Sequence, residues 1–262
     1  SDAAIEEAAA RAVGMAKATP PDPYAALAEA TQLAKNWSEP DGFDATIREV
    51  PELEELARAT EAAAVAVPGV SNTEGAEAAY SRADILLATS GGFVGTYQQS
   101  SHSFSVSVLA GEGTDMERDY EFSSTVYAED LESPESVGRA AGEQAVKRLN
   151  SSRLKTGAYP VVYHPRAGRQ ILRALAGSIN GSAIARKTSF LKDKLGAQLF
   201  SKEIQIIDDP MMPRGLASKP FDAEGLMTQR LDLVQDGVLK TWVLDLATAR
   251  QLGLKRNGRA SR

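Results

Sequence analysis

The chain has 262 residues, 43% of them apolar and 24% charged, and a formal net charge of −6. That length allows one large or two modest domains with a real core. With no cysteine at all, disulfides, thiolate metal sites and cysteine nucleophiles are excluded, and the acidic balance argues against a nucleic-acid partner. No apolar run approaches the roughly 18 residues a bilayer crossing needs, and no basic segment followed by an apolar one marks a secretory signal. A cytoplasmic, non-membrane protein is therefore expected. The chain opens without Met, inside a helical pattern at Ser1 to Glu7, which suggests a fragment.

The first 67 residues read as helices. Ser1 or Asp2 can cap the first, with Glu6 and Glu7 near its positive end, and Pro20-Pro21-Asp22-Pro23 breaks it. Tyr24 to Asn36, rich in Ala and Leu, predicts a second helix. A third begins near Pro51, followed by Glu52, Glu54 and Glu55, and stops at Pro68-Gly69. From Val70 to Tyr127 the apolar period becomes two. The clearest strand is Ser101 to Val108, with four serines (Ser101, Ser103, Ser105, Ser107) on one face and His102, Phe104, Val106 and Val108 on the other. A serine face is poor core material, so it is expected to meet solvent, a partner or a ligand. Ile85 to Thr89, Phe93 to Tyr97 and a strand bearing Tyr120, Phe122 and Val126 complete an antiparallel meander, with a turn at Gly111-Glu112-Gly113.

Ser133 caps a helix that starts at Pro134 and runs to Leu149. Tyr159 to Tyr163 predicts a short strand, Pro165 to Ile184 a helical stretch and Glu203 to Ile207 another strand. Leu226 to Val234 and Val238 to Leu244 flank Gln235-Asp236-Gly237, an Asp-Gly hairpin. A helix over Asp245 to Leu252 follows, and the basic segment Lys255 to Arg262 reads as a solvated tail. The fold class is α+β: helices first, an antiparallel meander, then mixed elements. We place a boundary near residue 150, dividing the chain into 1–150 and 151–262.

Histidine is the scarcest resource, with only His102 and His164. A catalytic zinc needs about three protein ligands, and no HExxH pair exists. His102 reads as a core histidine and His164 as a cap. Gly177 and Gly181, four apart, suggest close helix packing. Ser90-Gly91-Gly92 lacks the Lys-Ser/Thr of a phosphate loop, and no Gly-x-Ser-x-Gly elbow is present. The remaining candidate chemistry is acidic: Asp208, Asp209, Asp222 and Glu224 at the ends of neighbouring strands. They suit acid–base work or a hard cation, or else Asx turns and caps.

Together these segments resemble the PmbA/TldE branch of the TldD/PmbA family, a metalloprotease family also described as modulators of DNA gyrase. The resemblance rests on Ser71-Asn72-Thr73-Glu74-Gly75, Ser100 to Ser103, Ala110 to Gly113, Met116 to Tyr120, Ser189 to Gly196, Asp208-Asp209-Pro210, Phe221-Asp222-Ala223-Glu224-Gly225 and Thr248 to Gly253. It covers the central region of longer family members: 1–150 matches the end of their N-terminal portion and 151–262 the start of their C-terminal portion. In that family TldD-type subunits hold zinc with an HExxxH helix and a C-terminal cysteine. Here Arg173, Ala174 and Ser178 stand where His, Glu and His would be. The resemblance therefore implies no catalytic residue and no metal in this chain, with zinc expected only in a TldD-like partner subunit and an unfolded peptide as the substrate. Any link to DNA gyrase would be indirect, and a homodimer is open in the partner's absence. By resemblance, Asp208, Asp209, Phe221, Asp222, Glu224 and Gly225 form a candidate substrate loop, and Ser101, Ser103, Ser105 and Ser107 a candidate partner or peptide face. An independent hydrolase using the four carboxylates and a regulator acting on gyrase are the alternatives.

Overall fold

The computed structural model describes residues 2–25 and 27–260. Helix α1 (Asp2–Ala18) buries none of its described side chains. Helix α2 (Val50–Val65) begins with a reciprocal cap in which the Glu52 carboxylate accepts the Glu49 N–H, and Pro51 lies in its first turn. A three-stranded antiparallel sheet follows in the order β1-β2-β3: β1 (Val70–Ala88), β2 (Val94–Ala110) and β3 (Glu117–Thr125). The strands expected at Phe93 to Tyr97 and Ser101 to Val108 are therefore one continuous strand, and the one expected at Ile85 to Thr89 is the end of a longer strand that starts at Val70. Helix α3 (Pro134–Arg148) carries the Ser133 cap, whose Oγ accepts the Ser136 N–H at 3.1 Å.

Helices α4 (Pro165–Ser178) and α5 (Gly181–Ala185) lead to a small second sheet of β4 (Ile206–Asp208), β5 (Leu231–Gln235) and β6 (Val238–Leu239). Its tight turn holds Asp236 at φ 51° and Gly237 at φ 72°, as an Asp-Gly hairpin requires. Helix α6 (Leu246–Leu252) is capped by Asp245 and stopped by Gly253 in the left-handed region. The α+β class stands.

The alternation of β2 explains where the cores sit. Even positions from Ser100 to Ala110 are buried. Val106, Val108 and Ala110 pack with Ala64 of α2 and Ala141 and Ala145 of α3. At the other end the buried positions are odd: Phe93, Gly95 and Tyr97. Phe93 and Tyr97 join Ile85, Ala34 and Phe221 in a second core. The ribbon is thus covered on opposite faces at its two ends. A third core surrounds Trp242, with Ile179, Leu239 and Leu244.

Four sequence expectations fail, each for a physical reason. Tyr24 to Asn36 is not helical in its described residues. Leu33 bridges Leu226 and the Ala34 N–H donates to Gly225 O at 2.8 Å, so tertiary pairing overrides alanine's helix propensity. Tyr159 to Tyr163 pairs with no strand, and Val162 is almost fully exposed. The basic tail is not solvated throughout: Gly258 and Ala260 are buried, while Arg259 bonds Asp208 and the Gln229 carbonyl. Ser1, Ser261 and Arg262 lie outside the described residues. Finally, the close packing expected of the glycine pair holds for one member only: Gly177 is exposed with nothing within 4 Å of where a Cβ would stand, whereas Gly181 lies in a different helix, tight against Thr248 of α6 and Leu244.

Candidate functional site

The serine face and the Phe221 loop, far apart in sequence, share one face of the first sheet. Ser103, Ser105 and Ser107 are half-buried odd positions of β2, opposite Ser124, Phe122 and Tyr120 of β3. Tyr120 and Phe122 therefore point outward with the serines, while Asp119 and Ser123 take the inner face. On the β1 side, Glu77 and Ala79 lie opposite Ser105 and Ser103. Glu77, Ala79, Ser103, Ser105, Tyr120, Phe122 and Ser124 line a groove of about 430 Å³ on this face. Ser101 is half-buried on the same face, beyond β3.

Two structures flank this face of the sheet. At the far end the Phe221 ring packs 5.1 Å from Tyr97 and 5.0 Å from Phe93, and Gln99 Nε2 donates to Ser218 O at 3.1 Å. Gly95 makes this approach possible, since a Cβ there would meet the Phe221 ring at 2.8 Å. Beside β3 lie the first turns of α4. Arg166 donates to Asp119 Oδ1 at 2.7 Å, to Gln144 Oε1 at 2.6 Å and to the Tyr120 carbonyl. Its guanidinium also stacks 4.8 Å from the Tyr120 ring centre. Burial alone would raise the Asp119 carboxyl, but the Arg166 hydrogen bond and further donors hold it below the usual carboxylate range.

Three of the four acidic candidates are engaged as turn and cap acceptors, and the fourth, Asp208, in an ion pair. Asp209 Oδ1 accepts the Met211 N–H at 3.0 Å, an Asx turn. Asp222, only 2% exposed, accepts from the N–H groups of Glu224, Leu226 and Ala260. Asp208 pairs with Arg259, and Glu224 Oε2 accepts the Leu246 N–H at 2.9 Å. Gly225 sits at φ 79°, against the Phe93 ring. Arg214, which sequence reasoning passed over, ties this loop to the first half through Glu129, Asp130 and Asp41 and stacks on Tyr127. Among the described residues, no three His, Asp or Glu side chains are grouped to hold a metal ion.

Burial pushes the Glu224 carboxyl up to about 7; the Leu246 N–H opposes this, and the Asp222 and Asp245 charges add to it. Because the folded value lies above the ordinary 4.5, the folded chain keeps a proton between those two values that the unfolded chain has released. This contribution to stability is full below pH 4.5 and is lost as pH rises through about 7. Glu224→Gln should therefore flatten the fall in melting temperature between about pH 5 and 8. A variant whose pH profile matches the parent would contradict the assignment.

Both histidines are placed as expected. His102 is 1% exposed, stacked on Tyr80 with ring centres 5.0 Å apart. Its Nε2 lies 3.3 Å from Asp44 Oδ2, outside hydrogen-bond geometry. Burial lowers its pKa despite the opposing charge of Asp44. His164 caps α4, its Nδ1 accepting the Arg166 N–H at 3.4 Å.

Two family models match the chain in succession: the PmbA/TldA metallopeptidase central domain over residues 44–149 and the C-terminal domain over 156–262. The chain belongs to the PmbA/TldD family. It is 36% identical to the metalloprotease PmbA of Escherichia coli O157:H7 over 261 residues, 99% of this chain and 58% of that protein. The chain thus spans little more than half the length of the curated PmbA relatives it matches. Two crystal structures share the fold. One, a protein of Bacteroides thetaiotaomicron named as a candidate modulator of DNA gyrase, matches at TM-score 0.83 and 24% identity, over 93% of this chain and 56% of that one. The other is TldE of Thermococcus kodakarensis, at TM-score 0.71 and 19% identity, over 100% of this chain and 59% of that one.

The zinc implied by the metallopeptidase family does not fit α4. Arg173 and Ala174 are exposed, and Ser178 Oγ donates back to the Ala174 carbonyl at 2.7 Å.

Proposed function

We propose that the chain is part of a non-catalytic subunit of a TldD/TldE-type zinc metalloprotease, contributing a wall of the compartment in which an unfolded peptide lies extended. The observation that carries this reading is the composition of α4. By resemblance it occupies the place of the zinc helix, yet Ile171 to Ser178 contains no His, Cys, Asp or Glu. The groove supports a peptide role, because hydroxyls and aromatic faces suit an extended main chain of varied sequence.

The test uses the full-length protein, alone and mixed with a TldD-like subunit, measuring coelution, zinc content and peptide hydrolysis. Zinc and hydrolysis are expected only in the mixture, where the two chains coelute. Stoichiometric zinc or chelator-sensitive hydrolysis in the protein alone would overturn the reading.

A further inference from the structure

Helix α4, whose first turns lie beside Tyr120 and Phe122 at the groove's margin, carries a row of arginines. Arg166, Arg169 and Arg173 are spaced three and four apart, which puts them on one face of the helix. Arg166 is spent on Asp119, Gln144 and Tyr120 and is only 20% exposed. Arg169 differs: its guanidinium lies 5.7 Å from the Phe122 ring centre, at the groove's margin, and the side chain is exposed. Among the described residues neither Arg169 nor Arg173 forms an ion pair, although several other arginines, among them Arg58, Arg118, Arg148 and Arg214, do. The opposite helix face is apolar, with Ile171, Ala174 and Leu175 turned toward Phe190, Leu199 and Phe200. The arginine face is therefore not needed for packing.

We propose that Arg169 and Arg173 bind a carboxylate of the peptide that occupies the serine–aromatic groove, an inference that rests on the peptide reading above. Charge complementarity selects the occupant. Unpaired guanidiniums present forked donors that match a carboxylate and strengthen where an aromatic face excludes water. Glu77 lines the β1 side, two strand spacings or about 10 Å away, so the groove is cationic at one margin and anionic at the other. A carboxylate settles at the α4 margin, and the remaining main chain or an ammonium lies toward β1. The carboxylate comes either from the peptide's C-terminus or from an Asp or Glu side chain.

Fluorescence anisotropy separates these cases, using three labelled ten-residue peptides of Ser, Thr, Gly and Val. One carries a free C-terminus, one an amidated C-terminus, and one an amidated C-terminus with an internal Asp. Proteins are the parent chain, Arg169→Gln with Arg173→Gln, and a control of equal charge loss on the far helices, Arg58→Gln with Arg139→Gln. Each variant is first checked for an unchanged melting curve. The parent should prefer a carboxylate peptide over the neutral one by about tenfold; the free-terminus and Asp peptides identify the source. The groove variant should lose that preference and keep its neutral-peptide affinity, while the control keeps both. Equal binding of all three peptides by the parent, or a preference surviving in the groove variant, overturns the proposal and leaves the peptide groove standing. Binding of none sinks the groove itself. The subunit assignment is judged separately, by coelution.

Discussion

Gly138→Val should cost about 3 kcal/mol or more of stability and leave little cooperative unfolding, because α2 and α3 cross backbone to side chain at this point. A Cβ on Gly138 would meet the Thr60 carbonyl at 2.3 Å, the Ala63 Cβ at 2.8 Å and the Ala64 N at 2.9 Å. Two of these three atoms belong to helix backbone, so no rotamer change relieves the clash. The helices must part, and Ala64, Ala141 and Ala145 then lose contact with the sheet above them. Gly142 repeats the arrangement one turn on, against Val67 and the Ala64 carbonyl. Urea titration followed by circular dichroism measures the effect. Gly14→Val on α1, where nothing lies within 4 Å, is the control and should shift stability by under about 1 kcal/mol. Equal behaviour of the two variants would mean that the helix crossing is looser than described.

Asp222→Ala is expected to rank second, at about 3–5 kcal/mol. The carboxylate is buried and serves three backbone donors from two separate segments, Glu224 and Leu226 in the turn and Ala260 beyond it. Alanine leaves all three without an acceptor, each at about 1–3 kcal/mol before water enters. Asp222→Asn keeps the Oδ1 position that serves two of them and should lose roughly half as much. Denaturant midpoints for the two variants give the comparison, and an alanine variant no less stable than the asparagine one would refute the role. The loss should also loosen the Ala34 contact with Gly225, and with it the packing of Phe221 on Phe93 and Tyr97.

Both motif groups were legible in the sequence, but their shared placement was not. Strict alternation from Ser101 to Val108 predicts a two-faced strand, and the structure has one. The switch of buried parity near Gln98 and Gln99 could not be read, because those residues carry no apolar signal and are half-buried. It is this switch that brings the Phe221 loop onto the serine face. The outward direction of Tyr120 and Phe122 was not readable either: the inner positions of β3 belong to Asp119 and Ser123, and Asp119 is satisfied by arginines from two helices. The arginine spacing of α4 was readable from the start; its direction required knowing what α4 lies beside. The failed helix at Tyr24 to Asn36 has the same root. Local propensity was real, but Leu226 and Gly225, nearly two hundred residues on, supplied better partners.

The opposed burial of the long ribbon also bears on how faithfully the chain folds. A one-residue slip between strands turns every side chain to the other face. In β2 such a slip would expel Phe93 and Tyr97 from one core and Val106 and Val108 from another, at points about 30 Å apart along the strand. Because those cores lie on opposite faces, no single tilt or bend of the misaligned hairpin restores both. The error is checked twice, at sites too distant to compensate each other, and mispaired molecules should be rejected early in folding.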